Sequence, residues 1–416
     1  MTNSIIVIGG GASGMLAAIT AAESGGSVTV LEKNDRLGVK LRITGKGRCN
    51  VTNDCTPEKL MENIPGNGKF LFAAFRGFTP SDTIKFFEKL GVPLKTERGG
   101  RVFPASDRAA DIAEALSRRM RELKVAVKKG RALEITTEDG RVTGVITDGG
   151  ELLPCNSAIV CTGGMSYPRT GSNGDGYRLA ARLGHTIIEP KPSLVALETD
   201  DDFCPRMQGL SLKNVTLSAY NREGKLIYEE LGEMQFTHFG ISGPLVLSAS
   251  AHMRDFKAGG YTVKIDLKPG LDEKRLDARL LRDFEKYSNR DFKNSLDELL
   301  ARLIIPVIVE RSGIPGEVKV HSITRQQRQG LVKLLKGFSL NITGPRPIDE
   351  AIITSGGVST REINPSTMES KHIRGLYFAG EVIDVDAYTG GFNLQIAWST
   401  AALAGRHAAK PEEKDS

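Results

Sequence analysis

The first 32 residues contain the pattern that most constrains the fold. Residues 4–8, SIIVI, form a short apolar run rich in β-branched side chains, which is typical of a buried parallel strand. GGGASG (9–14) follows with the spacing G-x-G-x-x-G and leads into good helix formers. A second strand is predicted at 27–31, with Glu32 at its end. Strand, glycines, helix, strand and acid in this order predict an α/β fold with a dinucleotide-binding βαβ unit.

Each position of this unit has a physical role. Gly9 permits a tight turn, Gly11 lets the backbone approach a pyrophosphate, and Gly14 lets the helix pack closely on the strand. The first residues of the helix, Ala12 and Ser13, belong to a terminus whose free N–H groups face phosphates. The unit is therefore predicted to hold the diphosphate of a dinucleotide.

The acid and two later segments indicate which dinucleotide is bound. Glu32 can accept both hydroxyls of an adenosine ribose and would repel a 2′-phosphate, so it favours FAD or NAD over NADP. SAIVCTGGMSY (157–167) is a further strand that ends in glycines. Residues 373–405 hold another strand and then Gly390 and Gly391 before a long apolar helix. A dinucleotide domain that begins at residue 1 and is completed near residue 400 is typical of FAD proteins with inserted domains.

Five motifs spread over nearly the whole chain resemble the HI0933-like flavoprotein family, a branch of the two-dinucleotide-binding-domain flavoproteins. They are GGGASG (9–14), KLRITGKGRCNVTN (40–53), TGGMSYPRTGSNGDGY (162–177), FTHFGISGP (236–244) and FAGEVIDVDAYTGGFNLQIAWSTA (378–401). The family includes proteins known as NAD(P)/FAD-dependent oxidoreductases. The resemblance implies bound FAD, a split Rossmann-like FAD-binding domain, an inserted β-rich (barrel-like) domain and a small helical domain.

Composition shifts along the chain predict where these domains meet. The first part of the FAD-binding domain is expected at 1–190, where prolines mark a border. Alternation typical of strands runs through 191–270, and helical periodicity dominates 271–338. The second part of the FAD-binding domain is expected at 339–410.

The cationic stretch RITGKGRCNVTN (42–53) receives its interpretation from the resemblance, as a loop that wraps the cofactor. Lys40, Lys46 and Arg48 would offset the charge of the phosphates or of the reduced flavin. Gly45 and Gly47 would let backbone N–H groups face the phosphate or the flavin ring. The alternative is an ordinary basic loop, which the density of Gly, Thr and Asn beside the cations disfavours.

The resemblance also implies further cofactor contacts. Ala132 would contact adenine through its backbone, and Glu381 and Asp384 would hold the ribityl hydroxyls. Asn393 and Gln395 would bond the polar edge of the flavin through either side chain or backbone. The remaining residues expected at the cofactor are Lys33, Asn50, Thr162, Gly163, Gly164, Gly380, Gly391 and Phe392.

Three residues are candidates for catalysis beside the flavin. Cys49 follows a cation, which can lower a thiol pKa and make it a proton donor or nucleophile, although the sequence shows no base partner and a packing role is favoured. His238 is either a general acid or substrate contact, or a structural residue bonded to the following glycine turn. Tyr388 lies next to a cofactor motif, where its phenol could protonate a substrate carbon, cover the flavin or simply pack.

Charge and cysteine content bear on partners and location. The net charge is +6, and Lys268 to Lys336 holds fifteen Lys/Arg against ten Asp/Glu. Mixed signs favour solvated helix faces over an RNA surface for this stretch. The five cysteines form no CxxC pair, and we see no signal peptide and no membrane-length apolar run. The pattern predicts a cytoplasmic protein with reduced thiols, no metal site and no membrane partner.

The functional hypotheses combine these points with what the family resemblance implies about the reaction and its substrates. The leading one is an FAD-dependent reductase that takes hydride from NADH or NADPH and delivers it to an electron-poor C=C bond, in an enone or in a uracil ring of ribosomal RNA. There is no second G-x-G-x-x-G, so the nicotinamide would visit only transiently. The alternatives are an O₂-using flavin oxidase of a small amine such as aminoacetone, and a non-enzymatic flavin-bearing RNA-binding factor. The sequence leaves the substrate and the oligomeric state open.

Overall fold

A computed structural model describes residues 3–256 and 260–410 of the chain. The chain divides into two compact units. Unit 1 takes in Met1–Ser193 and Pro347–Ser416, and unit 2 is Leu194–Arg346. In the part of the chain that the structure describes, no helix has the length and apolar character needed to cross a membrane.

The strands and helices are numbered in chain order. The strands are Ser4–Ile8 (β1), Ser27–Glu32 (β2), Thr52–Asn53 (β3), Leu94–Glu97 (β4), Arg101–Pro104 (β5), Ala126–Lys129 (β6), Ala132–Glu138 (β7), Arg141–Thr147 (β8), Leu152–Pro154 (β9), Ser157–Val160 (β10), Ile187–Ser193 (β11), Leu197–Thr199 (β12), Ser211–Tyr220 (β13), Leu226–Thr237 (β14), Gly240–Ser242 (β15), Tyr261–Asp266 (β16), Phe338–Pro345 (β17), Ile353–Val358 (β18) and Leu376–Phe378 (β19). The α-helices are Ala12–Glu23 (α1), Val39–Ile43 (α2), Pro57–Glu62 (α3), Phe72–Gly77 (α4), Pro80–Lys89 (α5), Ala109–Glu122 (α6), Asp175–Arg182 (α7), Phe203–Arg206 (α8), Pro244–Ser250 (α9), Glu273–Lys286 (α10), Ile305–Ser312 (α11), Arg325–Lys336 (α12) and Phe392–Ala408 (α13).

The core of unit 1 is a five-stranded parallel sheet with the order β19-β10-β1-β2-β6. Its central strand is buried along the apolar run 5–8, as its all-apolar sequence predicts. In register, Ile8 pairs with Leu31 and with Val160, and Val160 pairs with Phe378. The carboxyl ends of these strands therefore meet at one edge, and the glycine and acidic motifs that follow them in sequence lie together there.

Helix α1 packs between this sheet and α13, and the helices approach unusually closely. A Cβ added at Gly405 of α13 would lie 2.2 Å from Thr20 Oγ1 and 2.5 Å from the carbonyl oxygen of Ala17. Only a residue without a side chain allows this spacing. The close packing joins the amino-terminal βαβ unit to the last helix, so the two extremities of the chain build one domain.

Unit 2 contains a closed barrel with the strand order β12-β15-β14-β13-β16-β17, together with α8 to α12. The barrel and the helices share one hydrophobic core, in which Phe338 and Leu276 are fully buried. The expected barrel-like insert and helical segment are thus both present. Strand β17 differs from the expected borders: residues 339–345 were assigned to the second part of the FAD-binding domain, but β17 pairs with β16 and β12 and closes the barrel. The other borders stay a prediction.

Candidate functional site

A cavity opens at the carboxyl edge of the parallel sheet, within unit 1. The loops after β1, β2 and β10, the start of α1 and the start of α13 form most of its wall. The lining residues are 8–13, 31–34, 39–41, 44, 130–132, 161–163, 170–172, 175, 352–353, 381, 385, 393–394 and 396–397. The position at the carboxyl ends of parallel strands is where α/β proteins bind nucleotides.

The geometry of the first turn requires two of the three motif glycines and leaves open space at the third. Gly9 has φ +103°, and a Cβ there would lie 2.7 Å from the carbonyl oxygen of Cys161. A Cβ on Gly14 would lie 1.8 Å from the carbonyl oxygen of Gly9, so any side chain would push α1 off the turn. A Cβ on Gly11 would meet nothing within 4 Å, which leaves open space at the helix N-terminus for a ligand.

Glu32 is fixed at the cavity wall by two backbone amides. Its Oε2 accepts a hydrogen bond from the Gly10 N–H at 2.6 Å, and its Oε1 accepts one from the Asn34 N–H at 2.8 Å. The side chain is buried and still lines the cavity. A carboxylate held in this way is oriented before a ligand arrives, and it has lone pairs left for ligand hydroxyls.

A charged cluster on the same side of the cavity was missed by the sequence analysis. Asp175 is buried and pairs with Lys33 at 2.5 Å, with Arg131 at 2.6 Å and with Arg178. Burial alone would raise the pKa of Asp175, but the Lys33, Arg131 and Arg178 contacts outweigh it and hold the pKa below its usual range. An acid between two glycines at the start of α7 was the available signal. Two of its three partners, Lys33 and Arg131, are 142 and 44 residues away, which no local pattern shows.

A second charged group lies where α2 faces the loop after β19. Lys40 Nζ is 2.8 Å from Glu381 Oε2 and donates to Ser166 Oγ at 2.7 Å. The other carboxylate oxygen, Glu381 Oε1, accepts from the Thr354 N–H at 2.9 Å. Both Lys40 and Glu381 line the cavity, as predicted for cofactor-binding residues, but each is largely neutralised by the other.

The loop at 44–50 has an unusual backbone and contributes only Thr44 to the cavity lining. Left-handed φ angles occur at Gly45 (+57°), Lys46 (+58°), Gly47 (+85°) and Cys49 (+60°). A left-handed conformation is uncommon for residues other than glycine and costs roughly 1–2 kcal/mol at each of them. Such a loop needs strong support from its surroundings.

Arg48 was predicted to offset the charge of the cofactor. This prediction is wrong, because the structure pairs its guanidinium with two carboxylates of the protein. Arg48 Nη2 is 2.5 Å from Glu97 Oε1 and 2.6 Å from Asp107 Oδ1. These two carboxylates come from β4 and from the turn after β5, so the guanidinium is already compensated within the protein.

The proposed lowering of the Cys49 pKa is also wrong. The side chain is completely buried, and this burial raises the pKa of the thiol to about 12, although a hydrogen bond with Thr44 works in the other direction. At neutral pH Cys49 is therefore a neutral thiol. It can fill space beside the loop, but it cannot act as a thiolate nucleophile.

At the start of α13, Asn393 and Gln395 differ in what they can reach. Asn393 lines the cavity, where its side chain bonds both backbone groups of Ala387. Gln395 is fully buried, and its amide bonds Thr52, Thr83, Ser399 and the carbonyl oxygen of Phe78. The predicted contact of the Gln395 side chain with the flavin is wrong, because protein groups fill its hydrogen-bonding capacity.

The structure therefore divides the predicted cofactor residues into two sets. Those that line the cavity are Gly9, Gly11, Ala12, Ser13, Glu32, Lys33, Lys40, Ala132, Thr162, Gly163, Glu381 and Asn393. Among the described residues, those outside that lining are Gly14, Gly45, Gly47, Arg48, Asn50, Gly164, Gly380, Asp384, Gly391, Phe392 and Gln395.

Several residues of the second set shape the backbone around the cavity. A Cβ on Gly380 would lie 2.6 Å from Ser13 Oγ, and one on Gly391 would lie 2.4 Å from the backbone of Thr52. Their role is close packing, which brings the start of α13 and the loop after β19 to the cavity. Asp384 accepts two hydrogen bonds from Asn67 Nδ2.

The two remaining catalytic candidates are placed as follows. His238 is exposed in the turn between β14 and β15 of unit 2, with its ring 5.0 Å from that of Phe239. Tyr388 belongs to unit 1, is partly buried against its core, and its N–H donates to the carbonyl oxygen of Asn63. Their catalytic roles stay predictions.

The cavity fits a dinucleotide such as FAD. The open space at Gly11 suits a diphosphate, and the oriented carboxylate of Glu32 suits ribose hydroxyls.

Fold and cavity together define a Rossmann-type dinucleotide-binding protein. The family model of the HI0933-like protein Rossmann domain matches residues 3–407, and the chain belongs to this family of flavin-dependent oxidoreductases. It is 33% identical over 412 residues to the 3-dehydro-bile acid delta(4,6)-reductase of Clostridium scindens, covering 98% of this chain and 99% of that one. It is 31% identical over 402 residues to the ribosomal RNA dihydrouridine synthase of Haemophilus influenzae, covering 95% and 96%.

A solved structure confirms the architecture at lower similarity. The 3-ketosteroid-delta4-(5alpha)-dehydrogenase of Rhodococcus jostii superposes with a TM-score of 0.56 and 15% identity, covering 98% of this chain and 97% of that one. At this identity the likeness extends to the fold alone.

Proposed function

We propose that this protein is an FAD-dependent reductase that saturates a C=C bond conjugated to a carbonyl, using NADH or NADPH as the source of hydride. The names of two full-length relatives carry the proposal. One relative is a delta(4,6)-reductase of a 3-dehydro-bile acid and the other is a ribosomal RNA dihydrouridine synthase. An enone and a uracil ring share one chemical feature, a C=C bond made electrophilic by an adjacent carbonyl.

The net reaction adds one hydride and one proton across the double bond, and NAD(P)H becomes NAD(P)⁺. Bound FAD supplies the hydride chemistry, accepting a hydride from one substrate and delivering it to the other. The chain's own part is to hold the cofactor and to exclude water from it. Glu32 would accept hydrogen bonds from the ribose hydroxyls, and the start of α1 at Gly11 and Ala12 would hold the diphosphate.

The pair of Lys40 and Glu381 supports the same assignment. It places one cation and one carboxylate at the cavity wall, linked at 2.8 Å and braced by Ser166 and Thr354. A braced pair presents fixed polar atoms to a ligand without adding net charge, which suits the hydroxyl-bearing middle of a dinucleotide. We expect both residues to affect cofactor affinity more than substrate affinity.

The one proton in the reaction requires an acid, and His238 or Tyr388 would provide it. Cys49 is a poor donor at neutral pH because burial raises its thiol pKa to about 12. Replacing His238 with Gln and Tyr388 with Phe separates the two. Substitution of the residue that is the acid should lower the rate of C=C reduction and leave the rate of FAD reduction by NAD(P)H unchanged.

Anaerobic stopped-flow measurements test the proposal. The FAD-loaded protein is mixed first with NADH or NADPH, and then with a 4-en-3-one steroid or a uridine-containing RNA, while the flavin absorbance is followed. Fast bleaching by one nicotinamide and recovery with an enone or with RNA is the expected result. Rapid recovery in air with stoichiometric hydrogen peroxide, and none with either acceptor, would instead indicate an oxidase.

A cytoplasmic location, expected from the cysteines, belongs to the same proposal.

A further inference from the structure

Helix α6 carries one charged stripe on the surface of unit 1. Asp111, Glu114, Arg118 and Arg121 recur at intervals of three and four residues, so they lie on one face of the helix. Glu114, Arg118 and Arg121 are exposed, and the side chain of Asp111 is 31% exposed. The stripe is therefore acidic toward the amino end of the helix and basic toward its carboxyl end.

Contacts within the chain do not account for this order of charges. The helix dipole acts on the first and last turns, whereas Glu114 and Arg118 lie in the middle of α6. They are four residues apart, yet Glu114 pairs with Arg42 of α2 at 3.3 Å and Arg118 donates to the carbonyl oxygen of Leu90. Among the described residues, none pairs with the side chain of Arg121. Both arginines of the stripe therefore keep donors for a group outside the chain.

Two surface grooves flank the stripe and share Glu114 and Arg118. The carboxyl-side groove has a volume of about 470 Å³, and the amino-side groove has a volume of about 300 Å³. Each groove has exposed apolar side chains, which are Val127 in the first and Pro93 and Ala105 in the second. We name the stripe and both grooves the α6 face. Its residues are 37, 42, 91–93, 105–106, 111, 114, 117–118, 120–121, 125 and 127.

The charges of the α6 face are self-complementary about one point. Asp111 and Arg121 stand five positions on either side of Leu116, and Glu114 and Arg118 stand two positions on either side of it. A two-fold axis at the level of Leu116 would pack α6 against a second α6 that runs in the opposite direction. Each acid of one copy then faces a base of the other, and both kinds of pair form in the same register.

We propose that the α6 face binds the α6 face of a second copy of this chain, in a two-fold symmetric dimer with antiparallel α6 helices. Glu114 of each copy contacts Arg118 of the other. Asp111, whose carboxylate accepts a hydrogen bond from Ser106 Oγ at 2.6 Å, contacts Arg121 of the other copy. The two-fold also places the carboxyl-side groove of each copy opposite the amino-side groove of the other. The charge pairs fix the register of the helices, and burial of the apolar side chains favours association.

Sedimentation velocity of the FAD-loaded full chain tests the proposal over a range of protein concentrations. The wild type should sediment as a dimer at micromolar concentration, with a dissociation constant that rises with salt. Glu114→Arg and Arg118→Glu, each alone, should raise this constant on the order of a hundredfold, because like charges then meet twice in a two-fold dimer. The double variant Glu114→Arg/Arg118→Glu should restore the dimer, since opposite charges face each other again.

A further variant and two controls separate dimer loss from misfolding. Arg121→Glu disturbs no side-chain contact among the described residues and should also raise the dissociation constant, by about tenfold or more. The matched controls, Glu285→Arg and Arg282→Glu, each reverse one charge at an exposed position of α10 and should leave the constant unchanged. Circular dichroism and flavin absorbance per chain show that each variant is folded and loaded.

Four results would overturn the proposal. These are a wild type that stays monomeric at every concentration, single reversals on α6 that leave the dimer intact, a double variant that remains monomeric although it is folded, and α10 controls that dissociate the dimer equally. A monomeric wild type would assign the α6 face to a different partner. None of these results depends on the proposed reductase activity, which is measured separately by flavin absorbance.

Discussion

Replacing Gln395 with Leu tests whether this residue supports the cavity or contacts the cofactor. Gln395 Oε1 accepts hydrogen bonds from Thr52 Oγ1 at 2.6 Å and Thr83 Oγ1 at 2.8 Å. Its Nε2 donates to the carbonyl oxygen of Phe78 at 3.0 Å and to Ser399 Oγ at 2.9 Å. The network joins α13 to α5 and β3, and all of its side chains are buried.

The magnitude follows from what each partner can still bond after the substitution. Thr83 already lies 3.2 Å from the carbonyl oxygen of Thr79, and Ser399 already donates to Phe78 at 2.7 Å, so both stay satisfied. Thr52 keeps only a 3.5 Å contact with the carbonyl oxygen of Asn53. The buried hydroxyl of Thr52 loses its partner, and the other bonds are replaced by weaker ones. Together these changes should lower the free energy of unfolding by about 3 kcal/mol. The expected fall in melting temperature is roughly 5–10 °C.

Trp398 provides the assay, because it is the one tryptophan of the chain and is fully buried in unit 1, where its Nε1 donates to Val51. Its fluorescence in a urea titration of the FAD-free protein reports the unfolding of unit 1. The matched control, Gln208→Leu at an exposed position of unit 2, should change stability by less than about 0.5 kcal/mol. Unchanged unfolding of Gln395→Leu together with FAD binding weakened tenfold or more would show that the side chain contacts the cofactor, and would refute the reasoning.

Three further outcomes are expected. Glu32→Gln should weaken FAD binding about tenfold, measured by flavin fluorescence during titration, because one charge-assisted contact to ribose is lost; equal affinity would place the ribose elsewhere. Cys49→Ala should retain flavin reduction by NAD(P)H, and the wild-type thiol should resist iodoacetamide between pH 7 and pH 9, because its pKa is about 12; rapid alkylation would contradict this. The pKa of Asp175 is lower in the folded protein than its unfolded value of about 3.9, so its stabilisation is present above that pH and is lost as the pH falls through the folded pKa. The acid unfolding curves of wild type and Asp175→Asn should therefore converge only below the unfolded pKa of about 3.9, and parallel curves would contradict the assignment.

Local sequence patterns were sufficient for the amino-terminal unit. Strand β1, α1, β2 and Glu32 follow one another with the spacing that a βαβ turn requires, and the structure forms them at the predicted places. Gly9 and Gly14 were identifiable from the spacing of the glycine motif, although the group that excludes a side chain at Gly9 is the distant backbone of Cys161. The strands of the insert were predicted from period-2 alternation and its barrel-like form from the family resemblance, but β17 was assigned to the other domain because a strand's sequence does not identify its partner.

Only the tertiary structure decided which charged and polar groups are free to act. Lys40 and Glu381 are 341 residues apart and bond each other, Arg48 meets Glu97 across a hairpin, and Gln395 reaches Thr83 across 312 residues. From the sequence alone each looked available to a cofactor. Hydrogen bonds and ion pairs form between groups that folding brings within about 3 Å, whatever their separation in the chain. The sequence by itself thus determined that a dinucleotide site exists and which turn builds it, whereas long-range packing decided which side chains remain open to a ligand.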